Sequence, residues 1–91
     1  MRVRGKVDSI QRSVVLELRR AGASVRVISA IGSGLPDIIA GYGGSNFLLE
    51  LKSDSKAKLT PDEREFFESW HGSAYIVCSP DEAISLVIGD R

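Results

Sequence analysis

Two apolar runs constrain the fold of this chain more than anything else in it. Asp37-Ile38-Ile39-Ala40-Gly41-Tyr42 and Phe47-Leu48-Leu49-Glu50-Leu51-Lys52 flank Gly43-Gly44-Ser45-Asn46, turn chemistry that folds the two runs into a hairpin. In an antiparallel pair, the start of the first strand lies beside the end of the second. Asp37 is therefore expected close to Glu50 and Lys52. Side chains alternate along a strand, so Glu50 and Lys52 share one face and Leu51 takes the other. Two carboxylates and an amine then meet at one end of the hairpin.

The remaining elements follow from periodicity and caps. Residues 8 to 21 read as a helix, with Ile10, Val14 and Leu18 at every fourth position and Ala21 extending the stripe. Asp8 or Ser9 caps its start and Gly22 stops it. At ~100° per residue, Gln11 falls inside the apolar arc. Residues 24 to 29 read as a strand and 31 to 34 as a loop; the hairpin strands are 37 to 42 and 46 to 52, followed by a polar connection over 53 to 60. Thr60-Pro61 opens a second helix with Glu63 in the capping-box place. This helix runs to about Trp70 and stops at Gly72, with Phe66, Phe67 and Trp70 as its packing face and His71 as a helix-end residue. Residues 73 to 78 form a short apolar strand with Cys78 in the core, and Ser79-Pro80 opens a last helix through Ala83, Ile84 and Val87. The order is helix, three strands, helix, strand, helix. It implies an α/β fold in which the first three strands are antiparallel and the fourth is added across a helical connection.

Ninety-one residues make a single domain, 1 to 91, with one small core. Twelve basic and twelve acidic residues balance, so any nucleic-acid affinity has to come from local patches. Cys78 is the single cysteine, which excludes an intrachain disulfide framework and fits a reducing cytoplasm. No apolar run is long enough to span a membrane, and the first residues lack the apolar stretch of a signal peptide.

Two carboxylates and an amine on one face suit phosphodiester hydrolysis. That reaction needs charge neutralised on the phosphate, a water deprotonated and the leaving oxygen stabilised. Asp37 and Glu50 are candidate ligands for Mg²⁺, with the Leu51 carbonyl as a third, because this hard cation takes oxygen ligands and keeps several waters. Lys52 is the candidate to orient the attacking water or stabilise developing negative charge. Gln11, facing inward from the first helix, is placed to reach the same site, and Asp8 adds a carboxylate if the helix start packs over the hairpin. Lys56 and Lys58, in the loop after the second hairpin strand, and Arg12 on the first helix are candidate contacts for a phosphate backbone. The alternative is a non-catalytic module that binds nucleic acid or a protein on the same fold.

Gly34-Leu35-Pro36-Asp37, a gap, and then Glu50-Leu51-Lys52 resembles the signature of the PD-(D/E)XK nucleases. The order of elements is similar to that superfamily's restriction-endonuclease-like core, a mixed sheet flanked by helices in the order αβββαβ plus a C-terminal helix. With the Leu59-Thr60-Pro61 helix start, the chain resembles a small stand-alone VRR-NUC domain of the sort found in phages. The resemblance implies an endodeoxyribonuclease in which Asp37 and Glu50 bind Mg²⁺ or Mn²⁺ and Lys52 is the catalytic lysine. The acidic residue of the family's first helix maps to Asp8. Glu63 stands where many relatives have Gln. The resemblance also implies a cytoplasmic homodimer, in a phage-infected or other prokaryotic cell, acting on branched DNA such as four-way (Holliday) junctions. A two-fold dimer presents two identical sites, as symmetric cutting of two strands requires.

Overall fold

The computed structural model describes the backbone of residues 4 to 89 and the side chains of residues 9 to 89. The elements are α1 (Arg4–Arg20), β1 (Ser24–Val27), a 3-10 turn (Ser29–Ile31), β2 (Ile38–Tyr42), β3 (Ser45–Leu51), α2 (Pro61–Ser69), β4 (Ala74–Val77) and α3 (Pro80–Val87). The sheet order is β1-β2-β3-β4. The first three strands are antiparallel, and β4 pairs parallel with β3 after the α2 crossover. The sequence order and the mixed sheet are as expected.

The hairpin turn is tighter than the four-residue turn expected. Tyr42 pairs with Ser45, so Gly43 and Gly44 alone make the turn. Both lie at positive φ, 60° and 85°, which a two-residue turn of the I′ kind requires and only glycine adopts without strain. Ser45 therefore belongs to the strand, which starts one residue earlier than the expected 46.

Alternation divides the sheet into two faces. Val25, Ile38, Ala40, Leu49, Leu51 and Val77 face α1 and α3, where they form the core with Val14, Leu18, Ala83 and Val87. Leu18 and Leu49 are fully buried; truncating either to Ala is expected to cost about 2–5 kcal/mol. The opposite face carries Ile39, Leu48 and Glu50. Ile39 and Leu48 line a shallow apolar depression with Leu35 and with Trp70, the C-cap of α2. The site residues Glu50 and Lys52 thus lie on the side of the sheet away from α1 and α3, where Lys52 meets Glu63 of α2.

Several local expectations are corrected. Helix α1 starts at Arg4 rather than at residue 8, so Asp8 and Ser9 are interior positions and not caps. The apolar stripe marks only the turns that pack on the sheet, and the first turn carries no periodic signal. The side chain of Asp8 lies outside the described residues. Trp70 is 47 % exposed and stacks on Phe66, with ring centroids 4.9 Å apart, so it is not a buried packing residue; no residue of α2 is fully buried. Cys78 is half-buried just past the end of β4 rather than in the core. The helix starts hold. Thr60 Oγ1 accepts from the Glu63 N–H at 3.2 Å while Glu63 Oε1 accepts from the Thr60 N–H at 2.9 Å. Ser79 Oγ accepts from the Glu82 N–H at 3.2 Å in α3. Among the described residues, no helix is long and apolar enough to cross a membrane.

Candidate active site

Asp37 sits just before β2, where the ladder is irregular. Its N–H donates to the Leu49 carbonyl at 3.0 Å, although the register partner of Leu49 is Ile38. The bond to Leu49 therefore holds Asp37 against β3 just ahead of the regular ladder. The Asp37 carbonyl accepts from the Ile28 N–H at 2.8 Å, which ties the same residue to the end of β1. Its carboxylate Oδ2 accepts from the Leu51 N–H at 2.8 Å. The first carboxylate is thus fixed against the last residue of β3, as the hairpin argument required.

Glu50 is 4 % exposed and is the one buried charged or polar residue among those described. A carboxylate in that position is costly unless it is compensated. Lys52 Nζ lies 3.5 Å from Glu50 Oε2 and 2.8 Å from Glu63 Oε1. The structure therefore brings Asp37, Glu50 and Lys52 together, and it adds Glu63 from the first turn of α2. From the sequence, Glu63 was readable as a cap and as standing where many relatives have Gln, but its contact with Lys52 was not. Its contact with Lys52 depends on how residues 53 to 60 return the chain over the sheet, and no local pattern encodes that.

Gly34 explains how α2 comes so close. It lies at φ +81°, and a Cβ there would collide with the Asp62 carbonyl and crowd the Glu63 N–H. The backbone of the Gly-Leu-Pro-Asp segment packs directly on the first turn of α2, which only glycine allows. One motif thereby orders both Asp37 and the helix that carries Glu63.

The electrostatics follow from burial. Desolvation pushes the Glu50 carboxyl up to about 8, reinforced by the Asp37 charge and by a hydrogen bond with Glu63. Burial also raises Asp37, against the lowering effect of the Leu51 N–H. For Lys52, burial acts to lower the ammonium, but the Glu63 hydrogen bond and the charges of Glu63 and Glu50 outweigh it and the net shift is upward. For Glu63, burial acts upward and is outweighed by Lys52, the Thr60 N–H and Glu50, leaving the carboxyl below its usual range. The Glu50 carboxyl is thus biased toward its protonated form, while Glu63 and Lys52 form a charged pair.

This donor set fits a hard divalent cation. Two carboxyl groups crowd together, and burial with the Asp37 charge makes Glu50 resist ionisation despite the Lys52 ammonium beside it. Among the described residues, no cluster of three or more His, Cys, Asp or Glu side chains is arranged to cage an ion. A cation at Asp37 and Glu50 would complete its shell with backbone, water and substrate oxygens, the usual habit of Mg²⁺.

The other candidates lie around this centre. Gln11 is half-buried on α1 and lines a shallow depression with Arg12, Val15, Leu16, Arg19 and Val27. That depression includes none of the carboxylates. Arg12 is exposed, as are Lys56 and Lys58 in the 53 to 60 connection. The Lys56 N–H donates to Asp54 Oδ1 at 2.7 Å.

Among known proteins, a solved structure described as a VRR_NUC domain matches with a TM-score of 0.70 at 27% identity, covering 89% of this chain and 92% of its own. The mixed four-stranded sheet flanked by three helices is therefore a restriction-endonuclease-like fold of the VRR-NUC class, within the PD-(D/E)XK nucleases that the motifs resemble. The family model described as archaeal Holliday junction resolvase (Hjc) matches residues 2–86. The chain belongs to that family. No curated protein matches it.

Proposed function

We propose that this chain is a divalent-metal-dependent endodeoxyribonuclease that acts as a homodimer on branched DNA such as four-way junctions. The observation that carries this reading is the buried Glu50 placed with Asp37 and Lys52 at one end of the hairpin. A fold under selection for stability alone would place an apolar residue at position 50, because burying a carboxyl group costs free energy that an apolar side chain does not. Membership of the resolvase family supports branched DNA as the substrate.

Asp37, Glu50 and the Leu51 carbonyl are the proposed ligands of Mg²⁺ or Mn²⁺. The bound ion would neutralise the phosphate and acidify a water. The Lys52 ammonium, held between Glu50 and Glu63, donates to a phosphate oxygen or to the attacking water. Asp8 and Gln11 on α1 are proposed to add a carboxylate and an amide from the helix side. Arg12, Lys56 and Lys58 grip the DNA backbone.

The final strand is the proposed dimer interface. β4 is an edge strand, and its Tyr75 and Ile76 are 39% and 44% exposed. An exposed apolar edge invites pairing with another chain.

The test is a cleavage panel with Mg²⁺ and Mn²⁺ on a four-way junction, a flap, a plain duplex and a single strand, with Asp37→Ala as control. Paired cuts on the junction that vanish in the variant are the expected result. Junction binding without cleavage of any substrate would replace this reading with a binding module.

A further inference from the structure

Lys52 sits at the end of β3 on a long, flexible stem, and a catalytic ammonium has to be held in place to act. The group nearest it is neither of the proposed metal ligands within the sheet. It is Glu63 Oε1, at 2.8 Å, against 3.5 Å to Glu50. The same Glu63 oxygen accepts the Thr60 N–H at 2.9 Å, and the Glu63 N–H in turn donates to Thr60 Oγ1 at 3.2 Å. The two hydrogen bonds of the capping box thus fix Glu63, one through its carboxylate and one through its backbone, where it meets Lys52. Gly34 lets the backbone at Asp62 and Glu63 pack against the loop that leads to Asp37.

We propose that Glu63 is a positioning residue, in which the capping box of α2 holds the carboxylate that orients the Lys52 ammonium toward the reaction. The proposal rests on the nuclease reading above. In it, α2 serves as a clamp on the lysine. This accounts for a helix that buries none of its own residues fully yet has its first turn packed on Gly34 and joined to Lys52.

A positioning role and a merely structural one separate by experiment. In the full chain, Glu63→Ala removes the acceptor, whereas Glu63→Gln keeps one oxygen able to receive both Lys52 Nζ and the Thr60 N–H. Ser79→Ala removes an N-cap from α3 and serves as a control for simple loss of stability. Single-turnover cleavage of a four-way junction with Mg²⁺ is expected to slow about tenfold or more in Glu63→Ala, since misplacing a catalytic group by about 1 Å costs up to about a hundredfold. Junction affinity is expected to stay within about twofold, and Glu63→Gln to recover most of the rate. Ser79→Ala is expected to lower Tm and leave the rate alone.

A wild-type rate in Glu63→Ala would overturn the proposal. So would a Glu63→Gln variant as slow as Glu63→Ala, which would make the charge, or direct ligation by the carboxylate, the operative feature. A second readout does not depend on cleavage. The ¹⁵N signal of the Lys52 ammonium, with slowed hydrogen exchange, is expected in the wild type and in Glu63→Gln and lost in Glu63→Ala. If the wild type cuts no DNA, the nuclease reading fails. The Lys52 signal still decides whether Glu63 holds the lysine, and the same signal in all three proteins would mean that it does not.

Discussion

Asp37 Oδ2 receives the Leu51 N–H at 2.8 Å, so one proposed metal ligand is also a backbone acceptor that closes the open end of the hairpin. The two roles are separable. Asp37→Ala leaves a buried N–H without its partner, and urea unfolding is expected to show a loss of about 1–3 kcal/mol. Asp37→Asn keeps an oxygen for Leu51 and is expected to unfold within about 0.5 kcal/mol of the wild type, a change of the size expected when no hydrogen bond is lost. Both variants are expected to lose cleavage. An active Asp37→Asn enzyme would remove the carboxylate charge from the mechanism.

The Glu50 carboxyl gives the site a pH signature. Its value rises from 4.5 in the unfolded chain to about 8 in the folded one, so between those limits the folded state holds a proton that the unfolded state has released. Stability from this group is full below 4.5 and is lost as pH rises to about 8. Asp37, also raised, acts in the same direction; Glu63, lowered, acts oppositely and only at the acid end. The metal-free protein is therefore expected to lose stability toward the alkaline end of this window in urea titrations. Mg²⁺ affinity should move the other way, tightening by up to about tenfold per pH unit because binding displaces the proton. Calorimetry in buffers of different ionisation enthalpy would detect the released proton, and pH-independent Mg²⁺ binding would contradict it.

Lys52→Ala separates chemistry from binding. Losing one preorganised donor costs about 10²–10³-fold in rate. Single-turnover cleavage is expected to fall by that order while metal and junction binding persist. Full activity in this variant would remove Lys52 from the mechanism.

What the sequence conveys about this molecule is local. Alternation and a glycine turn placed Asp37 against Glu50 and Lys52, because a hairpin fixes which strand ends meet. The Thr60-Pro61 and Ser79-Pro80 starts were readable because a cap is written in adjacent residues. The start of α1 was not, since apolar periodicity reports packing rather than helical backbone. The irregular bond from the Asp37 N–H to the Leu49 carbonyl and the reach of Glu63 to Lys52 depend on the paths of the adjoining loops. Trp70 has an apolar side chain at a helical spacing from Phe66 and Phe67, yet α2 is fixed at its opposite end, so Trp70 stays largely exposed.

Gly34 is expected to be among the least replaceable positions outside the core. Gly34→Ala forces a Cβ against the Asp62 carbonyl and a side chain into φ +81°. The first turn of α2 has to move, taking Glu63 off Lys52. Cleavage is expected to fall by about tenfold or more, an effect of misplacement rather than of lost binding. A shift of the Lys52 ammonium signal in the same variant would tie the loss to the lysine. A Gly34→Ala protein with wild-type rate would show that the close approach is not needed.

DNA affinity is expected to be mostly electrostatic, because the candidate contacts are exposed cations. Arg12 lies on α1, and Lys56 and Lys58 lie in the loop that leads from β3 to α2. Neutralised phosphates release counterions, so the logarithm of the affinity is expected to fall linearly with the logarithm of salt concentration, by about 0.9 per phosphate contacted on duplex arms. Lys56→Ala combined with Lys58→Ala is expected to flatten that slope by about two contacts and to weaken the junction and a plain duplex alike. Fluorescence anisotropy over a salt series measures both. A wild-type slope near zero would end the backbone-contact account, and an unchanged slope in the double variant would move the contact away from this loop.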